Sequence, residues 1–220
     1  MVYCNEKVIH ALTRLRAHGK ALGECERMKI SVREMVLAAF FAALMTVGAY
    51  ISKVWPPDVV PFSLLPLLCM LAGVILGPKL GALSMTVYLL VGLTGIPVFA
   101  SPPYGGFTYI FKPTFGFLVS FVVGAYVAGL VVHKKENPGW VTFLVAMLTS
   151  TVAMYAVGLP WMYLMFNFYV GQAMTFMQVL MMMSLYIVLD FVKAVIAAVV
   201  GKAMFERVSK QFAGPQYNIK

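Results

Sequence analysis

Between Glu136 and Asp190 the chain carries no formally charged residue. A stretch of that length cannot form the surface of a water-soluble domain, in which about a quarter of all residues are charged. The rest of the chain agrees, since 61% of its 220 residues are apolar and only 11% are charged. Its mean hydropathy is +0.87. No fold of this size can bury so much apolar surface in its own core, so the solvent it implies is lipid. The net charge of +9 would point to nucleic acid in a soluble protein. Here the basic residues gather at the ends of apolar segments, which excludes that reading and fits a membrane protein.

A spanning helix needs about 20 largely apolar residues. Residues 35–52 meet this, and the proline-rich run KVWPPDVVP at 53–61, with Lys53 and Asp58, closes the segment as a loop. Apolar runs at 62–77 and 81–96 follow, separated by the tight turn GPKLG. Residues 97–114 are rich in Gly, Pro and aromatics, and 116–132 form a fourth span closed by HKKENPG. The uncharged stretch holds a fifth span over about 140–160, an aromatic turn, and the start of a sixth that runs over 176–203. The expected fold class is therefore an all-α integral membrane protein with six transmembrane helices. A basic tail at 1–30 precedes a membrane domain at 31–205, and a C-terminal tail covers 206–220. The tail has no apolar run of signal-peptide length. Met28, which heads MKISVREMVLAAFFAAL, is an alternative natural start.

Six spans put both termini on one side, and the positive-inside rule makes it the cytoplasmic side. Fourteen of the seventeen Lys and Arg fall in the segments this topology makes cytoplasmic. Lys53 and Lys112 lie on the other side, and Lys193 lies within a span. Trp55, Tyr104, Tyr109, Trp140, Trp161 and Tyr163 fall where interfacial aromatic belts are expected. Cys4, Cys25 and Cys69 share no close spacing, and His10, His18 and His133 lie in polar segments as solvated side chains, so no metal site is expected.

Three features stand out as candidates for function. The first is Asp190 with Lys193 inside IVLDFVKAVIAAVVG. A charge at the centre of a membrane helix costs about 2.5–3.5 kcal/mol on insertion scales. Three residues apart, the two share a helix face. They either neutralise each other inside the bundle or await a polar ligand. The second is the segment 97–114, with Gly105–Gly106 and Phe99, Tyr104, Phe107, Tyr109 and Phe111. Non-helical backbone at membrane depth must be buried in protein or line a cavity. An aromatic lid over an outward-facing pocket satisfies that. The third is AAFFAA at 38–43, where Ala38 and Ala42 share one face and Ala39 and Ala43 another. Small residues four apart admit another helix, either from within the chain or from a partner subunit.

Three stretches resemble one known family in order: LAGVILGPKLGALSMTVYLLVGLTGIPVFA at 71–100, GGFTYIFKPTFGFLVSF at 105–121, and LDFVKAVIA at 189–197. The family is BioY, the biotin-binding substrate (S) component of energy-coupling factor (ECF) importers, and the resemblance covers about residues 30–205. It implies biotin uptake across a prokaryotic plasma membrane by a multi-pass protein. Its partners would be biotin, membrane lipid, a transmembrane coupling subunit and two ATP-binding subunits. By that resemblance Asp190 and Lys193 face biotin, and Gly105, Gly106, Tyr109 and Lys112 cap it. Tyr104 and Phe107 add apolar lid contact, and the first-helix alanines, Ala38 and Ala42 foremost, meet the coupling subunit. It implies no catalytic residue, cofactor or metal. The sequence departs from the family pattern at PFSLLPLL, with Ser63 and Leu65, and at PVFASPPYGG, with Pro102 and Pro103.

The chemistry of biotin suits these residues. Its ureido ring offers two N–H donors and one carbonyl acceptor, its thiophane body is apolar, and its tail is a carboxylate. Asp190 can accept from a ureido N–H, and Lys193 or Lys112 can meet the carboxylate or the ureido oxygen. The chain holds no phosphate-binding loop of the Gly-x4-Gly-Lys-Ser/Thr type, so ATP-driven uptake needs other subunits. Two other readings are open. One is an S component for a different vitamin. The other is a small membrane enzyme using Asp190 as acid or base, against which stands the lack of a second carboxylate or histidine in any span.

Overall fold

A computed structural model describes residues 31–54, 63–135 and 137–212. The N-terminal tail, Trp55, Asp58, Glu136 and residues 213–220 lie outside the described residues, as do the expectations made for them. Among the described residues there is no strand, and six α-helices follow in the expected order. They are α1 (Val32–Val54), α2 (Leu65–Leu76), α3 (Pro78–Leu93), α4 (Phe115–His133), α5 (Trp140–Met165) and α6 (Phe176–Phe212). Four of them, α1, α4, α5 and α6, are long and apolar enough to cross a membrane. With 12 and 16 residues, α2 and α3 reach only about 18 and 24 Å at the helical rise. That is short of the roughly 30 Å hydrocarbon core.

The GPKLG turn is tighter than a loop. Gly77 alone joins α2 to α3, with φ of 84° and its N–H donating to the Gly73 carbonyl at 2.9 Å. Pro78 begins α3 at a position where its missing N–H costs nothing. Only a residue free of Cβ strain turns the chain this sharply. On the same stretch Gly73 packs against α4 so closely that a Cβ there would overlap the Ala125 carbonyl oxygen. Small residues thus bring helix backbones together, as they do where lipid supplies no hydrophobic drive between helices.

Hydroxyls and one thiol stitch the helices through carbonyls. Ser84 Oγ on α3 donates to the Ala38 carbonyl on α1 at 2.7 Å, and Ser150 Oγ on α5 donates to the Gly124 carbonyl on α4 at 2.8 Å. Cys69 on α2 is fully buried and donates to the Phe121 carbonyl at 3.0 Å, a packing role as expected. His133 is exposed, as expected, and also makes two contacts within the chain. Its Nε2–H donates to the Val74 carbonyl at 2.9 Å and its ring meets Phe205 edge-on. It ties the end of α4 to α2 and α6 while remaining exposed.

Two boundaries differ from the sequence reading. The fifth span was expected over about 140–160, but α5 continues through Pro160 to Met165 and widens into a π turn at Phe166–Val170. Asn167 then pins the connection: its Nδ2 donates to the Tyr163 and Met174 carbonyls, and its Oδ1 accepts from the Met174 N–H. At the other end α6 runs on to Phe212, so residues expected to start a tail at 206 are helical. The Lys202–Glu206 pair at 3.7 Å supports that extra turn.

Candidate functional site

A cavity of about 360 Å³ lies among the end of α1, α2, α4, α5, α6 and the segment that connects α3 to α4. Its wall is mostly apolar, with Met70, Leu118, Phe121 and Met154 among the lining side chains. The volume falls in the range of small-molecule sites.

One polar group on the wall is built by α6. Asp190 and Lys193 sit one helical turn apart, and Lys193 Nζ donates to Asp190 Oδ1 at 2.7 Å. The lysine is 1% exposed and the aspartate 13%. Charges so far from water persist only with close partners. A second partner comes from α5, where the Tyr155 hydroxyl donates to Asp190 Oδ2 at 2.7 Å. Both carboxylate oxygens are thus held, one from each of two helices. Tyr155 is itself braced by Phe117 of α4, edge to face at 5.6 Å.

The connecting segment supplies a second polar group on the same cavity. It folds back on the end of α3: Gly106 N–H donates to the Gly92 carbonyl at 2.7 Å, and Phe99 N–H to the Tyr104 carbonyl at 2.7 Å. Phe99 is fully buried where Gly92 leaves room for its ring, against Tyr88 and Tyr109. A 3-10 turn, Phe107–Phe111, directs Tyr109 inward. The Tyr109 hydroxyl and Ser101 Oγ share a hydrogen bond of 2.7 Å, and Lys112 Nζ donates to Ser101 Oγ at 3.4 Å. Partial burial pulls the Lys112 ammonium below the ordinary lysine range. Trp161 Nε1 donates to the Lys112 carbonyl at 3.3 Å and so ties the segment to α5.

The structure therefore brings Asp190, Lys193 and Tyr109 around one cavity, with Lys112 one hydrogen bond behind Ser101. Besides Lys112, four expected lid contacts do not line the cavity. Gly105 and Gly106 serve the backbone, since a Cβ at Gly105 would overlap the Ile96 carbonyl oxygen and Gly106 has φ of 96°. The Tyr104 ring covers the Lys53 ammonium at 4.4 Å. Phe107 is 70% exposed. In a three-residue turn, positions two apart fall on different faces, so Phe107 points away where Tyr109 points in. The first-helix alanines divide in the same manner. Ala38 and Ala42, at 3% and 7% exposure, are spent inside the chain, while Ala39 and Ala43 are exposed. The open face of α1 therefore carries Ala39 and Ala43.

Sequence reasoning missed Tyr155, Ser101, Thr151 and Tyr186, all on the wall. A signal for Tyr155 existed. It lies well inside an apolar span, one turn after Thr151, and a hydroxyl at that depth needs a partner. Among the described residues no group of three His, Cys, Asp or Glu side chains could hold a metal ion.

A bundle of lipid-compatible helices around a small-molecule cavity, with a buried ion pair on its wall, defines a membrane protein of the solute-binding class. The sequence model of the BioY family matches residues 24–210, and the chain belongs to that family. A probable biotin transporter BioY of Lysinibacillus sphaericus is 35% identical over 80% of this chain and 88% of its own length. A putative biotin transporter BioYB of Bacillus subtilis is 34% identical over 84% and 94%, and the biotin transporter BioY of Thermotoga maritima is 35% identical over 77% and 94%. The crystal structure of the S-component for biotin from an ECF-type ABC transporter has the same fold. It aligns with a TM-score of 0.63 at 21% identity, over 80% of this chain and 92% of that one.

Proposed function

We propose that this chain takes up biotin, binding it in the cavity described above as the substrate-binding component of an ECF-type importer. It is a transport protein and not an enzyme. The observation that carries the reading is the Asp190–Lys193 pair on the wall of a cavity of about 360 Å³, in a chain whose family relatives are named biotin transporters. A carboxylate held on both oxygens still has lone pairs free for ureido N–H donors. The apolar wall suits the thiophane ring. Lys112, less hydrated than an ordinary lysine, gains from an anion beside it and is assigned to the biotin carboxylate, with Tyr109 closing over the ligand.

The finer topology belongs to the same proposal. All six helices cross a prokaryotic plasma membrane, with α2 and α3 sunk among longer neighbours, and both termini are cytoplasmic. Fourteen of seventeen Lys and Arg support that orientation. Uptake requires a coupling subunit and two ATP-binding subunits, and the exposed Ala39 and Ala43 on α1 form the face that docks on the coupling subunit.

Equilibrium binding to the purified chain in detergent tests the reading, with riboflavin and thiamine as controls. Tight binding of biotin alone is expected. A folded sample that ignores biotin and takes another vitamin would overturn it.

A further inference from the structure

We propose that Tyr155 is a positioning residue for ligand recognition, acting through Asp190 and not by touching the ligand. The inference rests on the biotin reading and assigns a role to a residue on a different helix from the ion pair. Three observations carry it. The Tyr155 hydroxyl donates to Asp190 Oδ2 at 2.7 Å, while Lys193 holds Oδ1 at the same distance. Each restraint comes from a different helix, α5 and α6, so the carboxylate plane is set by the packing of two elements. The Tyr155 ring has its own support in Phe117 on α4, so its hydroxyl is delivered to Asp190 from a fixed direction.

The physical consequence concerns direction more than strength. An aspartate on one helix can turn about its terminal torsion, which has a broad well. Lys193 alone leaves that rotation open. A donor on the second oxygen closes it and leaves the remaining lone pairs aimed at a fixed part of the cavity. Two ureido N–H groups on a rigid ring can only meet lone pairs that hold still. Because the Tyr155 proton is already given to Asp190, its hydroxyl contributes to the ligand through the carboxylate.

Tyr155→Phe removes only the hydroxyl and keeps the ring against Phe117. Biotin affinity is expected to fall about tenfold, the loss typical of one hydrogen bond to a charged group. A double-mutant cycle with Asp190→Asn separates positioning from direct contact. If Tyr155 acts through the carboxylate, the double variant binds no more weakly than Asp190→Asn alone. Losses that multiply, or a Tyr155→Phe variant that binds like the unaltered chain, would overturn the proposal. Should Asp190→Asn not accumulate in folded form, a biotin methylated on its ureido nitrogens serves in its place. Its binding should be the same with and without the Tyr155 hydroxyl, and an equal tenfold loss for both ligands would mean that the hydroxyl merely supports the fold. Unaltered chain that fails to bind biotin would overturn the function proposed above, an outcome distinct from binding that ignores Tyr155.

Discussion

Asp190 and Lys193 show how much a single residue can cost in a membrane and what keeps it there. Each is a charge that lipid rejects, and each survives because the other lies one turn away with Tyr155 completing the set. Removing the charge of one member takes a close partner from the other, which costs more than the pair's own contribution suggests. Asp190→Asn keeps the size and a hydrogen-bonding oxygen, so the chain should still fold while biotin binding weakens by about ten- to a hundredfold, in line with losing a bond to a charged group. Isothermal titration or a filter-binding assay on the purified variant reads that loss, and undiminished affinity would remove Asp190 from the site. Lys112 invites a more selective test. Lys112→Met should weaken biotin by about tenfold but barely affect biotin amide, which has no carboxylate to lose. Equal losses for acid and amide would assign the carboxylate elsewhere. The pair was legible in the sequence because two charges interrupt an apolar run. Tyr155 was not singled out, because a tyrosine among apolar residues looks like packing until its hydroxyl has a partner.

At the scale of elements, close backbone contact does the work that hydrophobic burial does in water. The α2–α4 contact is the sharpest case, with Gly73 against the Ala125 carbonyl. Gly73→Ala should cost on the order of 1–3 kcal/mol through overpacking, because backbone cannot yield as a flexible side chain can. Gly139, with nothing within 4 Å of a Cβ, is the matched control. Thermal melting in detergent should separate the two clearly, and equal melting would mean that α2 and α4 have room to part. The segment between α3 and α4 teaches the complementary lesson. Its Gly, Pro and aromatic content announced a non-helical piece that shapes a cavity, and that expectation suits the structure. Which aromatic faces inward was not legible. It depends on the phase of a five-residue 3-10 turn, and one residue of slippage would exchange Tyr109 for a neighbour.

For the whole molecule, the decisive question is which surface remains after the helices have packed. In α1 the two alanine registers look alike in sequence, yet Ala38 is covered and Ala39 is open. Ala39→Trp and Ala43→Trp should spare biotin binding by the isolated chain and block uptake in cells that supply the coupling and ATP-binding subunits. Ala38→Trp should instead damage folding, because the Ser84 hydroxyl bonds the carbonyl of that very residue. Uptake that survives both exposed substitutions would move the docking face off α1. The amino-acid sequence by itself determined the lipid setting, the number and order of the helices, their charge asymmetry and the ion pair. Those properties follow from composition and local spacing, which need no knowledge of neighbours. Tertiary structure alone decided which alanine pair is hidden, which lid aromatic enters the cavity, and that α5 lends a hydroxyl to a carboxylate on α6. Each of these is a relation between residues far apart in the chain, fixed by helix rotation and backbone approach, and nothing in local sequence encodes the angle at which one helix meets another.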